Sequence, residues 1–233
     1  MNKLWIYGCS YSADWLEHRY TGHGNTWPQI ISKKYNLQLE DRSCAGYGWS
    51  YHMKEFLLED LGKWDVDNDL VIIECSHLER MYSEYLNERF HKILYPKEIV
   101  SKDDKQFVDN LIQITNDLKE VAKQNFKLFY NSLKIVNKFS NNWYWWSVDD
   151  FNEIEVPTKT KPSIYELYGK QQLKFGKFNG YRDWMLSNPN LFHQYPHDMH
   201  QTYDCHLIQA NHFISKIDNT YFDDTDFVKN KFI

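Results

Sequence analysis

Residues 69–76 read Asp-Leu-Val-Ile-Ile-Glu-Cys-Ser, an apolar run closed by Asp at one end and Ser at the other. So short and apolar a run predicts a strand buried on both faces, and such strands sit in sheets covered by helices. A second run, Leu4-Trp5-Ile6-Tyr7, predicts another strand over about residues 3–8. The short alternating stretch LQLEDRS predicts a third over 37–43. Between them, WPQIISKKY places Trp27, Ile30, Ile31 and Tyr35 at helical spacing, with Pro28 near the helix start, where its missing N–H does no harm. A Gly-punctuated loop, SCAGYGWS (43–50), leads to a helix over about 51–62. Residues 102–124 predict a long helix with Phe107, Leu111, Ile114, Leu118 and Val121 on one face, and FKLFYNS (126–132) reads as one more strand. YDCHLIQANHFISKI (203–217) predicts a last helix with Leu207, Ala210, Phe213, Ile214 and Ile217 on one face, opened by a polar loop. Strands alternating with helices predict an α/β class fold, a three-layer α/β/α sandwich around a mostly parallel sheet.

A chain of 233 residues fits one such domain, 1–233, with insertions. Two segments break the alternation and read as insertions or lid-like pieces: 77–101 and about 140–200, the latter rich in Pro, Asn and aromatics. Nine Trp and seventeen Tyr exceed what a minimal core needs, which points to a cleft or interface. Within NNWYWWSVDDF, Trp143, Tyr144, Trp145 and Trp146 have two readings: a face for sugar rings or a protein partner, or core packing. A net charge of −5 without a long basic run argues against nucleic acid as partner. No apolar run reaches membrane length, and the first residues carry one Lys without an apolar stretch, so neither a membrane partner nor a signal peptide is expected. Cys9, Cys44, Cys75 and Cys205 form no CxxC pair, consistent with a reduced, cytoplasmic protein.

Ligands of open α/β sheets bind beyond the carboxyl ends of the strands. Those ends carry Gly8-Cys9-Ser10, the loop Cys44 to Ser50, Glu74 to His77, and Asn131-Ser132, and a late loop brings Asp204 and His206. Acyl transfer by a nucleophile needs a hydroxyl, a base, an acid to orient the base, and donors for the oxyanion. Ser10, His206, Asp204 and the backbone N–H groups of Ser10 and Gly48 supply one such set. Each has a plainer reading: Ser10 and Asp204 as helix caps, Gly48 as a turn glycine, and His206 as a polar residue opening a helix, with His200 or His197 as base instead. Arg80 either binds an anionic substrate or is solvated. Cys9 as nucleophile, or the four thiols as a metal site, are outside readings. The glycine pairs at 22–24 and 46–48 complete neither GxGxxG nor GxxxxGK[ST], so nucleotide binding ranks below acyl transfer.

These pieces resemble the SGNH (GDSL-type) hydrolases. Gly8-Cys9-Ser10 after the first strand is similar to the family's first block, in the "GCS" form found among phage-encoded members, and GHGNTWPQII follows as it does there. CAGYGWS resembles the second block, whose Gly donates an oxyanion N–H; Gly48 matches best and Gly46 second. DLVIIECS resembles the third block, and DCHLIQANH the last, where Asp and His precede a helix. The resemblance spans about two-thirds of the chain in pieces. It implies the family fold, a serine esterase with a Ser10–His206–Asp204 triad, no metal or organic cofactor, and an ester substrate such as an acylated carbohydrate. Ser76, His77, Arg80 and Asn131 are further candidates for substrate contact. Three departures stand out: Cys9 replaces the usual Asp; the oxyanion Asn of the third block is absent, its place held by Ser76 or His77; and Asp204 and His206 are two apart, as in some phage relatives, where the family's pair is usually three apart. The missing donor leaves a second expectation open, a weakened or silent protein with a binding or structural role, as in a phage virion or attachment component.

Overall fold

The computed structural model describes residues 2–9, 11–12, 25–44, 48–78, 82–83, 88–89, 118–151, 161–191, 201–220 and 222. Its centre is a four-stranded sheet: β1 (Lys3–Tyr7), β2 (Gln38–Asp41), β3 (Leu70–Cys75) and β6 (Trp143–Ser147), in the order β2-β1-β3-β6. Every pairing in it is parallel, with Trp5 level with Glu40 on one side and Val71 on the other, and Ile73 level with Trp145. Two further two-residue strands, β4 (Tyr82–Ser83) and β5 (Glu88–Arg89), pair antiparallel with each other outside this sheet.

Strand side chains alternate between faces, and here both faces are apolar. Trp5, Tyr7, Val71, Ile73, Cys75, Trp143 and Trp145 point into one core. Leu4, Ile6, Leu70, Ile72 and Trp146 point into the other. That explains why β3 reads as a continuous apolar run. The first core is covered by α2 (Trp49–His52), which runs on through a π-helical turn (Met53–Leu57) into the short α3 (Leu58–Asp60), and by the long α4 (Leu118–Phe139). The second is covered by α1 (Trp27–Tyr35), α6 (Tyr181–Ser187) and α7 (Tyr203–Ile217). Helix α5 (Lys161–Tyr168) packs its Ile164 and Tyr168 into the first core. The result is an α/β fold with helices on both sides of a parallel sheet, as the alternation implies. Among the described residues, no helix is long and apolar enough to cross a membrane.

Local chemistry sets the element ends. At α1 the Gln29 side chain returns to the Thr26 N–H, and Asn36 closes the helix in the left-handed region at φ 53°. At the amino edge of the sheet the buried Asp69 accepts from Lys3 N, Trp5 Nε1 and Asp65 N, at 2.8, 2.9 and 3.0 Å. The Asp that opens the apolar run thus fastens β3 to β1.

Two expectations are corrected. FKLFYNS is not a strand but part of α4. Phe126, Phe129, Leu133 and Val136 are all buried, a helical period that the local F-x-L-x-Y alternation hides. The fourth strand is instead β6, WYWWS, inside the segment expected to be an insertion. Residues beyond it also join the sheet: Gln172 bridges to Trp145 and Gly180 to Ser147, both in parallel sense. The expected helix face at Phe107, Leu111 and Ile114 lies outside the described residues, as does most of the expected insertion 77–101.

Candidate functional site

The carboxyl ends of β1, β2, β3 and β6 meet at one edge, where Cys44 N–H reaches Gly8 O at 2.8 Å and Val148 N–H reaches Cys75 O at 2.9 Å. The GCSYS turn leaves β1 there. Under it lies Glu74, 1% exposed and next to last in β3. One oxygen, Oε2, accepts from Cys9 N–H at 3.0 Å and Ser12 Oγ at 2.5 Å; the other, Oε1, accepts from Cys9 Sγ at 2.6 Å. A buried carboxylate is acceptor-only and needs such donors. Ser12 N–H closes the turn on Cys9 O at 3.1 Å. Glu74 therefore pins the chain on both sides of residue 10. Gly8 is required by the same contact: a Cβ there would stand 2.4 Å from Glu74 Oε2.

A second polar group sits beside the turn. His77, 4% exposed, follows β3, and its ring meets the Tyr11 ring edge-on at 6.4 Å. Arg182 Nη2 is 2.8 Å from His77 Nδ1 and 2.8 Å from Asp149 Oδ1, while His77 Nδ1 is 3.4 Å from that oxygen. Arg182 N–H also reaches Val148 O at 2.8 Å, so α6 is tied to the end of β6. Burial pushes the Asp149 carboxyl up, but the adjacent His77 ring and Arg182 guanidinium outweigh it and hold it below its usual 3.8. A depressed carboxylate contributes stability above the unfolded-state value, and that contribution is lost as pH falls through the folded-state value. In urea unfolding from about pH 6 down to about pH 3, the stability gap between the protein and Asp149→Asn is therefore expected to be widest at the upper end and to narrow below about pH 4.

Of the residues named from sequence, Ser10, Gly46, Arg80, His197 and His200 lie outside the described residues. Gly48 is buried at the start of α2, where its carbonyl accepts from Tyr51 N–H at 3.2 Å. Ser76 and His77 are buried at the sheet edge. Asn131 is exposed in the second half of α4, not at a strand end, because that stretch is helix. Asp204 and His206 are not in a loop before the last helix but in its first turn, since Thr202 is the cap and accepts from Cys205 N–H at 3.3 Å. Residues two apart on a helix do not face each other. The His206 ring is buried, and its Nδ1 accepts from the Trp27 N–H at 3.3 Å, which fastens α7 to the start of α1. A neutral imidazole that accepts at Nδ1 carries its proton on Nε2.

The aromatic cluster is also settled. Trp143, Trp145 and Trp146 are at most 3% exposed and fill both cores, so they form no face for sugars or a partner. The cysteines divide as well: Cys75 lies in the first core and Cys205 in the second, where its sulfur is 3.6 Å from Tyr181 Oη. Burial pushes the Cys75 thiol well up, with the Asp149 and Glu74 carboxylates adding to it. Cys9 is wholly buried, with its thiol committed to Glu74. Among the described residues no three His, Cys, Asp or Glu are grouped to hold a metal ion. Glu74 enters the sequence reading only within the strand-end stretch Glu74 to His77; the signal of its anchoring role is a lone acid inside VIIECS.

This architecture, a parallel sheet flanked by helices, is similar to that of several solved structures. The particular structures it resembles include LAE5, an alpha/beta hydrolase enzyme from the metagenome of Lake Arreo, Spain. That match has a TM-score of 0.55 and 11% identity, over 94% of this chain and 96% of that one. A catalytic mutant of Axe2, an acetylxylan esterase from Geobacillus stearothermophilus, matches with a TM-score of 0.51 at 8% identity, over 92% and 93%. A G-D-S-L family lipolytic protein from Desulfitobacterium hafniense DCB-2 matches with a TM-score of 0.50 at 11% identity, over 92% and 98%. At such identities the likeness is one of fold. No family model matches the sequence, and no curated protein does.

Proposed function

We propose that this protein is a serine ester hydrolase of SGNH type with Ser10 as nucleophile. The observation that carries the reading is the pinned GCSYS turn: a buried Glu74 holds residues 9 and 12 at the carboxyl edge of the parallel sheet. In the reaction, Ser10 Oγ bonds to the ester carbonyl carbon as a histidine takes its proton. The carbonyl electron pair moves onto oxygen, and its return expels the alcohol, which regains the proton. Water repeats the steps on the acyl-enzyme. Backbone N–H groups of residues 10 and 48 are the proposed oxyanion donors.

The base is to be sought in two Asp-x-His pairs, Asp198-Met199-His200 and Asp204-Cys205-His206. His206 serves only if its ring releases Trp27, so its anchoring favours His200. Because Axe2 is an acetylxylan esterase, acetylated carbohydrate is the first natural substrate class to try. One feature favours a silent, binding or structural protein instead: Ser76, His77 and Leu78 follow β3, with no Asn among them.

Turnover of a short-chain nitrophenyl ester separates the readings. Ser10→Ala is expected to reduce kcat to background, a loss of up to about 10⁶-fold in comparable triads. His200→Ala should match it, while His206→Ala should chiefly lower thermal stability by unpairing the Trp27 N–H. A folded protein without Ser10-dependent turnover would leave the structural reading; full loss in a stable His206→Ala would return the base to His206.

A further inference from the structure

We propose that one water molecule is a fixed part of the second core, bound by Gln201, Gln209 and Trp146, where it ties α7 to the sheet. The proposal is independent of the hydrolase reading above.

All three side chains are buried, none more than 1% exposed. Gln201 Nε2 donates to Gln209 Oε1, and Gln201 also hydrogen-bonds the Tyr181 hydroxyl. Two atoms of the amide pair remain, Gln201 Oε1 and Gln209 Nε2, and neither has a hydrogen-bond partner among the described residues. The indole Nε1–H of Trp146 is in the same condition. Two amides lying edge to edge would close both of their bonds. Here one is closed, so the other acceptor and donor do not meet. An unpaired buried polar group is costly, and native cores rarely leave one without a partner.

The fold brings the indole to the amide pair. Cys205, Gln209 and Phe213 recur every four residues and share one stripe of α7. At one end of the stripe, Cys205 Sγ is 3.6 Å from Tyr181 Oη. At the other, the Phe213 ring lies 5.9 Å from the Trp146 ring, which lies 5.6 Å from the Tyr181 ring. Gln209 sits between these contacts, so its amide faces the corner that Tyr181 and Trp146 form.

The chemistry is that of water. The N–H groups of Gln209 and Trp146 match its two lone pairs, and the Gln201 carbonyl accepts one of its protons. Internal waters typically make about three hydrogen bonds. Exchanging O and N in both amides leaves the count unchanged, with Gln201 donating and Gln209 accepting. None of the three groups is charged, which suits a neutral ligand rather than an ion. Trp146 belongs to β6, Gln201 precedes the Thr202 cap and Gln209 lies within α7, so one molecule joins strand, loop and helix.

A high-resolution crystal structure of the protein, and NMR of the protein with isotope-labelled Trp indoles, test this. The expected density is an ordered water at about 2.7–3.2 Å from Trp146 Nε1 and from both Gln amides. In solution the Trp146 indole N–H, assigned with Trp146→Phe, is expected to show a cross-peak to a long-lived water. Gln209→Met keeps the length of the side chain and removes both polar atoms, so it should abolish that cross-peak. The indoles of Trp49, Trp143 and Trp145, in the first core, should keep their shifts and so report the fold. Absent density, a Trp146 N–H bonded directly to either amide, or a parent indole without the cross-peak overturns the proposal. So does a cross-peak that survives in folded Gln209→Met. If Gln209→Met does not fold, the crystal structure of the parent decides alone.

Discussion

Glu74→Ala is expected to lower stability by about 3 kcal/mol or more and to remove ester turnover. The carboxylate is almost wholly buried and accepts from Cys9 N–H, Cys9 Sγ and Ser12 Oγ. Hydrogen bonds to a charged group contribute about 1.5–3 kcal/mol, and each buried donor left unpaired costs about 1–3 kcal/mol. Alanine removes all three acceptor contacts together, inside a packed strand that also loses side-chain volume. Glutamine keeps one acceptor oxygen for Cys9 N–H and Ser12 Oγ and can turn its NH₂ toward the Cys9 sulfur, so Glu74→Gln is expected to lose less than Glu74→Ala. The catalytic loss follows from position: without its anchor the turn no longer holds residue 10 in one place, and a displacement of about 1 Å can reduce the rate about 10²-fold. Urea unfolding and nitrophenyl ester turnover, measured on both variants, check the two parts separately. Unchanged stability in Glu74→Ala would mean the carboxylate does not organise the turn.

Gly8→Ala is expected to reach the same end from the other side. The added methyl would lie 2.4 Å from Glu74 Oε2, 2.6 Å from Ser12 Oγ and 2.8 Å from Ser12 Cβ. Nothing in a folded protein tolerates carbon at those separations, so either the carboxylate or the turn must move. Overpacking of this kind costs about 1–3 kcal/mol. Because Gly8 and Glu74 are in contact, the two substitutions should be strongly non-additive: in Glu74→Ala the Gly8→Ala change should cost markedly less than in the parent. Additive losses in that double-mutant cycle would contradict the geometry. The glycine of GCS is thus a matter of space above Glu74, since it is not among the residues with positive φ.

The frame of this fold was legible where local signals agreed with tertiary burial. β1 and β3 are apolar on both faces because both faces are covered, and α1 carries its cap and proline in sequence. The errors share a cause. FKLFY satisfies period two over five residues and period 3.6 over ten, and only packing against the sheet decides for the helix. WYWWS carries two readings, a face for sugars or a partner and core packing, and burial decides for the second; that it is a strand is hidden by its place in a stretch without alternation. At the site, spacing could bring Ser10, Gly8 and the third strand to one edge. It could not show that the His206 ring accepts from the Trp27 N–H, a partner 179 residues away, nor that Arg182, 105 residues from His77, lies against that ring. Long-range hydrogen bonds leave no periodic trace in a chain.

The central claim is that GCSYS presents Ser10 as a nucleophile. Treatment of the folded protein with a fluorophosphonate, followed by peptide mass mapping, tests it directly. A single phosphonyl adduct on Ser10, with turnover lost in proportion and no adduct in Ser10→Ala, is the predicted result. An adduct on another residue, or a folded protein that remains unlabelled, would contradict it.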